Sequence, residues 1–327
     1  MNARRRRISG IALTAATALG LGTLTACSGD DGEAAVGTDK FDVVASFYPM
    51  QYLAEEIGGD HVNVTTLTEP GQEPHDLELS AKQTAEMGEA DAVLHLSSLQ
   101  PAVDEAIAQS DVKTKIDAAK LTKLEDHGEV EHDHGGEGHA EEEHAEEGHA
   151  EEEHALDPHV WLDPVKYAEI AEGVAAAFEK ADPDNAADYR ENADALAKKL
   201  DGLNTAFEDG LANTDSKVFF TNHAAFGYLA ERYGLTQEAI TGVSPESEPS
   251  PARIKELQKE AKADGVTTVF YETLVSDKTA KTLADDAGLK TDVLDPLEGI
   301  TDKSKGDDYV QVMEANLKAL QAALGAK

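Results

Sequence analysis

The chain has 327 residues, with 28 Lys and Arg against 65 Asp and Glu, for a formal charge of −37. Binding phosphates takes clustered cations that displace counterions, so this balance excludes nucleic acid as a partner class, argues against anionic lipid headgroups and favours a cationic ligand. A hydrophobic fraction of 40% supplies a packed core, the length suggests two domains at roughly 150 residues each, and the single cysteine, Cys27, excludes both an intramolecular disulfide and a cysteine-only zinc site.

The N-terminus reads as an address. Arg4 to Arg7 form a basic region, residues 8–22 a short apolar one, and Leu24-Thr25-Ala26-Cys27 a small-residue cleavage site, the pattern of a secretory signal peptide over residues 1–27. The apolar run is shorter than the ~20 residues a spanning helix needs. Leu-Thr-Ala-Cys resembles a bacterial lipobox, which implies a lipid on Cys27 and an exported chain tethered to the outer face of the cytoplasmic membrane. Residues 28–40 are small and polar, as a flexible tether should be.

From residue 41 the pattern alternates. Strand-like runs at 41–47, 62–67 and 92–96 are interleaved with helix-like runs at 50–57, 81–87 and 101–109. Residues 164–180 and 185–212 are rich in Ala, Leu, Glu and Lys, and Asp182-Pro183-Asp184 between them supplies a break and an N-cap. Further strand-like runs follow at 218–221, 239–243, 266–271 and 291–294. The alternation predicts an α/β fold of two Rossmann-like lobes, each a mostly parallel sheet flanked by helices, at 41–183 and 213–327. One long linking helix over 184–212, about 40 Å, would join them.

Residues 125–157 interrupt the first lobe with fifteen acids, no Lys or Arg, and seven histidines: His127, His132, His134, His139, His144, His149 and His154. The segments EGHAEEEHAE and EGHAEEEHAL are near duplicates. Too few apolar residues are present to build a core, so the sequence predicts a disordered insert over 125–156. Imidazoles among carboxylates suit loosely held zinc, copper or nickel, and histidines five apart do not share one helical face.

Three other histidines occupy turn-like contexts where a strand ends or a helix begins, the places where open α/β folds put ligands. They are His75 in EPGQEPHD, His159 in LDPHVWLDP, and His223 just past the strand-like run 218–221. Asp295 adds a carboxylate at the end of the run 291–294. His95, within an apolar run, reads as a packed residue, and His61, in a turn, as an exposed one.

The ordered segments EPHDLELSAKQ, DPHVWLDP, FFTNHAAFGYLAERYGL, SPESEPSPARIKEL and TVFYETLVSDKTAKTLADDAGL resemble the zinc-binding solute receptors of bacterial ABC metal importers, from about residue 41 to the C-terminus. The resemblance implies two lobes joined by one long helix, with the metal in the cleft between them. Carried over by motif, the ligands are His75, His159 and His223, with Asp295 as the fourth. Relatives differ in placing an acid here, an acid beside the first histidine, or water, so Glu73 and Glu272 stand as alternatives. Trp161 is expected to pack beside the site and fix its loop. Three imidazoles and one carboxylate suit tetrahedral Zn²⁺ as cargo, whereas manganese receptors of the family replace a histidine with a second acid. The implied partners are an ABC permease and a separate ATPase, and the protein would be a monomer. The alternatives are a manganese or iron receptor of the same fold, and a surface adhesin or zinc buffer uncoupled from transport. No HExxH, GxSxG or GxxxxGK[ST] sequence occurs, and four protein ligands leave no open metal position, so an enzyme is not expected.

Overall fold

A computed structural model describes residues 40–127 and 156–327. The expected signal peptide, Cys27, most of the tether, and His132, His134, His139, His144, His149 and His154 lie outside the described residues.

In the first lobe β1 (Phe41–Ala45), α1 (Tyr48–Gly58), β2 (Val62–Thr66), α2 (Ala81–Glu89), β3 (Ala92–His95), α3 (Pro101–Gln109) and β4 (Thr114–Asp117) form a parallel sheet of order β2-β1-β3-β4. Then come α4 (Pro164–Ala181) and α5 (Ala186–Leu211). The second lobe contains β5 (Val218–Thr221), α6 (Gly227–Tyr233), β6 (Thr236–Ala239), α7 (Pro251–Ala263), β7 (Thr268–Tyr271), α8 (Lys278–Ala287), β8 (Lys290–Val293) and α9 (Tyr309–Leu324). Its parallel sheet, β6-β5-β7-β8, repeats the strand order of the first.

Two elements depart from the sequence reading. The edge strand β4 (TKID) was not predicted, because it lacks the apolar run that marks a strand buried on both faces. β6 lies upstream of the expected 239–243, on the polar segment TQEA. Gly234, in the left-handed conformation, ends α6, and the chain turns at once into the edge strand. The apolar residues after Ala239 therefore run past the sheet into a loop.

Alternation along the strands distributes the cores. Val43 and Ala45 enter a core shared by both lobes, whereas Val44 between them enters a separate one with Val93, Val103 and Ile107. Phe219 likewise enters the shared core, and its neighbour Phe220 a third cluster with Leu257, Val269 and Leu283. Each sheet thus has an outer core of its own, and the inner faces are joined by one continuous apolar body. Along α5, Tyr189, Ala193, Leu196, Leu200, Leu203, Phe207 and Leu211 recur every three or four residues to form the buried stripe. At 26 residues this helix is about 39 Å long. It packs on α4 and α1 at the first lobe and on α9 at the second.

The lobes are also tied by polar contacts. Asp163 caps α4 through the amide of Val165 and accepts from Arg232 of α6 with both carboxylate oxygens, the Nε bonds being 2.9 Å. Tyr309, at the start of α9, stacks on Tyr52 and lies against Tyr167, and its hydroxyl donates to the Trp161 carbonyl at 2.6 Å. Both ends of that hydrogen bond are buried. Tyr309→Phe keeps the packing and strands a buried carbonyl, so it should cost about 1–3 kcal/mol. Urea unfolding should show a lower midpoint with an unchanged slope.

Candidate metal centre

The residues that meet at the cleft come from four places in the chain. His75 sits in the loop between β2 and α2, and the amides of His75 and Asp76 donate to the Glu73 carboxylate at 3.0 and 3.2 Å. His159 precedes a single helical turn, Val160–Leu162, that leads into α4. His223 lies two residues beyond β5, and Glu298 lies in the loop between β8 and α9. All lie past the C-terminal ends of parallel strands or at a helix start, as the fold class requires.

Their geometry is compact. Oε1 of Glu298 is 3.3 Å from Nε2 of His75, of His159 and of His223. Ring centroids are 5.3 Å apart for His75–His159 and His159–His223, and 6.1 Å for His75–His223. Glu298 and His159 are 0% exposed and His223 is 2% exposed, with His75 closing the mouth. A tetrahedral ion with bonds of about 2.0 Å to nitrogen and oxygen has ligand–ligand edges of about 3.3 Å, the spacing observed. Nε2 of His159, Nε2 of His223 and Oε2 of Glu298 are buried without a hydrogen-bond partner of good geometry. Such atoms are costly to leave unmatched, and a cation would satisfy all of them.

A second set of groups aims the imidazoles. Nδ1 of His159 faces Asp157 Oδ1 at 2.8 Å, and Nδ1 of His223 faces Glu272 Oε1 at 2.8 Å. Carboxylates only accept, so each Nδ1 carries a proton, which leaves Nε2 as the atom that turns to the cleft and can give its lone pair to a metal once its own proton is expelled. Asn222 donates to the same Glu272 oxygen at 3.1 Å and holds it in place. Trp161 is fully buried with its ring 5.2 Å from that of His159, and its indole N–H donates to the Pro296 carbonyl at 2.7 Å. It thereby ties the His159 segment to the loop that carries Glu298.

The three histidines expected from the sequence therefore converge, but Asp295 does not join them. Its Oδ1 accepts from the Leu297 amide at 2.9 Å, and its Oδ2 from Thr273 and Ser304 at 3.2 and 3.1 Å. Asn316 receives the Asp295 amide and donates to its carbonyl. Asp295 instead shapes the loop, in the manner of an Asp that folds its side chain onto the backbone two residues on. Leu297 adopts φ 60°, a left-handed conformation unusual for a branched residue, and this turn swings Glu298 into the cleft. Glu298 was not among the sequence candidates. The signal available was a second acid three residues after Asp295, in DPLEG, beyond a Pro-marked turn. Glu272 stands behind His223 at Nδ1, and Glu73, which accepts the His75 and Asp76 amides, lies 4.0 Å from the Nε2 of His75; neither is within the donor set. His95 is buried with Nδ1 3.4 Å from Asp104, and His61 contacts Asp188 and packs on Tyr189, both far from the cleft in the contacts they make.

The charges are mutually perturbed. Burial opposes protonation of His223, yet the Glu272 and Glu298 carboxylates outweigh it and hold the imidazole well above its ordinary 6.5. His159 is raised in the same sense by Asp157 and Glu298 against burial. Burial would push Glu298 up, and the three imidazoles instead hold it well below the usual carboxylate range. Burial, with the nearby Glu298 charge adding to it, pushes Asp295 up to about 6 against the hydrogen bonds it accepts. Burial would also raise Asp157, but hydrogen bonds from His127 and His159 bring it down to about 2 from 3.8. A depressed native carboxylate stabilises the fold above its unfolded value and loses that contribution as pH falls toward the native one. Asp157→Asn should therefore lower stability by roughly 2 kcal/mol at pH 7. The deficit should close between about pH 4 and 2, readable as converging unfolding midpoints of variant and parent.

Residues 43–323 match the family model described as "Zinc-uptake complex component A periplasmic" (ZnuA). The chain is similar to the zinc-binding lipoprotein AdcA of Streptococcus pneumoniae, 38% identical over 291 residues that cover 86% of this chain and 55% of that one. It thus spans about half the length of the curated relatives it first matches. It is also similar to the high-affinity zinc uptake system protein ZnuA of Bacillus subtilis, 37% identical over 88% of this chain and 89% of that one. Among solved structures, Zn(II)-bound AdcA from Streptococcus pneumoniae aligns with TM-score 0.71 at 36% identity, over 87% of this chain and 58% of that one. The laminin-binding protein Lmb of Streptococcus agalactiae, described as having adhesin and metal-transporting activity, aligns with TM-score 0.74 at 31% identity, over 87% and 99%. With nearly its whole described length matched and a donor set of three imidazoles and one carboxylate between its lobes, the chain belongs to the ZnuA family of zinc-uptake components.

Proposed function

We propose that the protein is an extracytoplasmic receptor that captures Zn²⁺ on His75, His159, His223 and Glu298 and delivers it to an ABC permease driven by a separate ATPase. The observation that carries this reading is the equal 3.3 Å spacing of three Nε2 atoms around one Glu298 oxygen. Two of the histidines come from the first lobe and one, with the glutamate, from the second, so an ion held there bridges the lobes. Nitrogen-rich tetrahedral donors favour zinc over manganese, which prefers more oxygens and higher coordination. The likeness to a lipoprotein supports the reading of Cys27 as a lipid attachment site. The protein acts by binding and release rather than by catalysis, because four protein donors leave a tetrahedral ion no position for a reacting water.

Calorimetric titration with Zn²⁺ in competition with a chelator should reveal one tight site. Glu298→Gln or His223→Ala should weaken it by about 100-fold or more, and Glu272→Gln, which frees the His223 ring, by about 10–100-fold. A tight site surviving His223→Ala would overturn the assignment. Asp295→Asn, by contrast, leaves all four donors and should change affinity less than Glu298→Gln. Excess Mn²⁺ should fail to displace Zn²⁺.

Because His159 and His223 are held above their ordinary value, zinc must expel protons to bind. Affinity should rise with pH through neutrality and fall as pH is lowered. Titrations in buffers of different ionisation enthalpy should register net proton release; its absence at pH 7 would contradict the charge state derived above.

A further inference from the structure

A cavity of about 830 Å³ opens on the flank of the first lobe, where the edge strand β4 meets α3 and the C-terminal end of α4. Small-molecule sites span roughly 300–1,000 Å³, so the space is of the right size for one. None of the four metal donors lines it. Ile107 and Ala108 of α3, Ile116 of β4, Leu121 beyond β4 and Ala177 of α4 supply apolar walls. His95, the last residue of β3 and only 6% exposed, lines it as well. Its Nδ1 is 3.4 Å from Asp104 Oδ1 but makes no hydrogen bond there, so the most buried polar ring of the wall is not satisfied by the protein on that side.

The charge of this lining runs against that of the chain. Four lysines line the cavity against two carboxylates, and both carboxylates are engaged by the protein itself. Asp117 accepts from the Ser97 and Ala119 amides at 3.1 and 3.2 Å and meets Lys120 at 2.9 Å. Asp104 accepts from the Ser98 amide at 2.9 Å. Lys115 donates to the Ile107 and Ser110 carbonyls at 2.7 and 2.8 Å, which fixes the end of α3 against β4; its partners are neutral, so its charge is not cancelled. Lys113 and Lys180 are exposed and make no ion pair or hydrogen bond among the described residues. With 28 Lys and Arg against 65 acids in the whole chain, such a cluster is a local exception, and a small ligand meets the local potential rather than the total charge.

We infer that this cavity binds a small organic carboxylate with an apolar body, its hydrocarbon against Ile107, Ile116 and Leu121 and its carboxylate in the field of Lys113, Lys115 and Lys180. His95 offers a further polar contact from the wall. A bare inorganic anion would leave the apolar walls in water, and a cation would meet the lysines, so the lining selects a ligand that is anionic at one end and apolar at the other. The site shares no residue with the metal centre and stands independently of the zinc reading.

The test uses the full chain with one equivalent of Zn²⁺ and 2-naphthoate as the probe, with 2-naphthamide as its neutral counterpart. Naphthoate should bind saturably at one site with Kd below about 1 mM, and naphthamide at least about tenfold more weakly. Lys113→Glu combined with Lys180→Glu reverses two exposed charges, and should weaken naphthoate by about tenfold while leaving naphthamide within about threefold. Ala108→Trp, at an exposed position on the wall, should fill the cavity and weaken both probes by about tenfold or more. Unfolding midpoints close to the parent's would show that the variants fold. No saturable naphthoate binding below about 1 mM, equal affinity for the two probes, or binding indifferent to Ala108→Trp would overturn the inference. His223→Ala should leave naphthoate binding unchanged, which separates this result from the fate of the zinc reading.

Discussion

A carboxylate with no access to water sets the terms for the rest of this molecule. Glu298 is enclosed completely, and moving an isolated charge of that kind out of water is among the most unfavourable events in folding. Three imidazoles around one of its oxygens make the burial tolerable by electrostatic attraction, and the burial of His159 and His223 in turn depends on Asp157 and Glu272 behind them. The cluster is thereby poised: every proton it holds compensates a charge that a divalent cation would compensate better. Capture by such a site is a replacement of protons by metal within a preformed cage.

That cage can be preformed because the lobes share a core. The apolar body that joins the inner faces of the two sheets, the α5 stripe along it, and the tyrosine group around Tyr309 leave little freedom for the lobes to swing as separate bodies. Trp161 carries this rigidity to the metal-binding loops through its indole bond to Pro296. Movement on metal release is better sought in the loops that present His75 and Glu298 than in a wide hinge. The left-handed turn at Leu297 marks one of them, since strained backbone persists where the surroundings hold it.

The acidity with which the chain announces itself divides accordingly. Fifteen of its anionic side chains crowd residues 125–157. Asp157, the last of these, and Glu231 on α6 face the two nitrogens of His127. The four residues assigned to the ion contribute one formal negative charge. Net charge drew attention to a cation, and it says nothing about affinity, which follows from burial and donor geometry.

Much of this was legible in order along the chain. Strand and helix alternation foretold two parallel α/β lobes, since period and composition are local properties. His75, His159 and His223 stood out for the same reason, each in a turn just beyond a strand or before a helix. The strand β4 and the start of β6 were hidden because edge strands need no apolar run. The fourth donor escaped for a different cause. Asp295 and Glu298 are three residues apart with the same charge, and nothing in their spacing says which one faces the ion. That choice is made by one dihedral angle at Leu297 and by Asn316, Thr273 and Ser304, which claim Asp295 from elsewhere in the fold. The sequence by itself determined the fold class and the nitrogen-rich chemistry of the ligand. Only the tertiary structure decided which carboxylate completes the cage, because that depends on the backbone turn at Leu297, on the contacts that hold Asp295, and on Glu298 meeting histidines far from it along the chain.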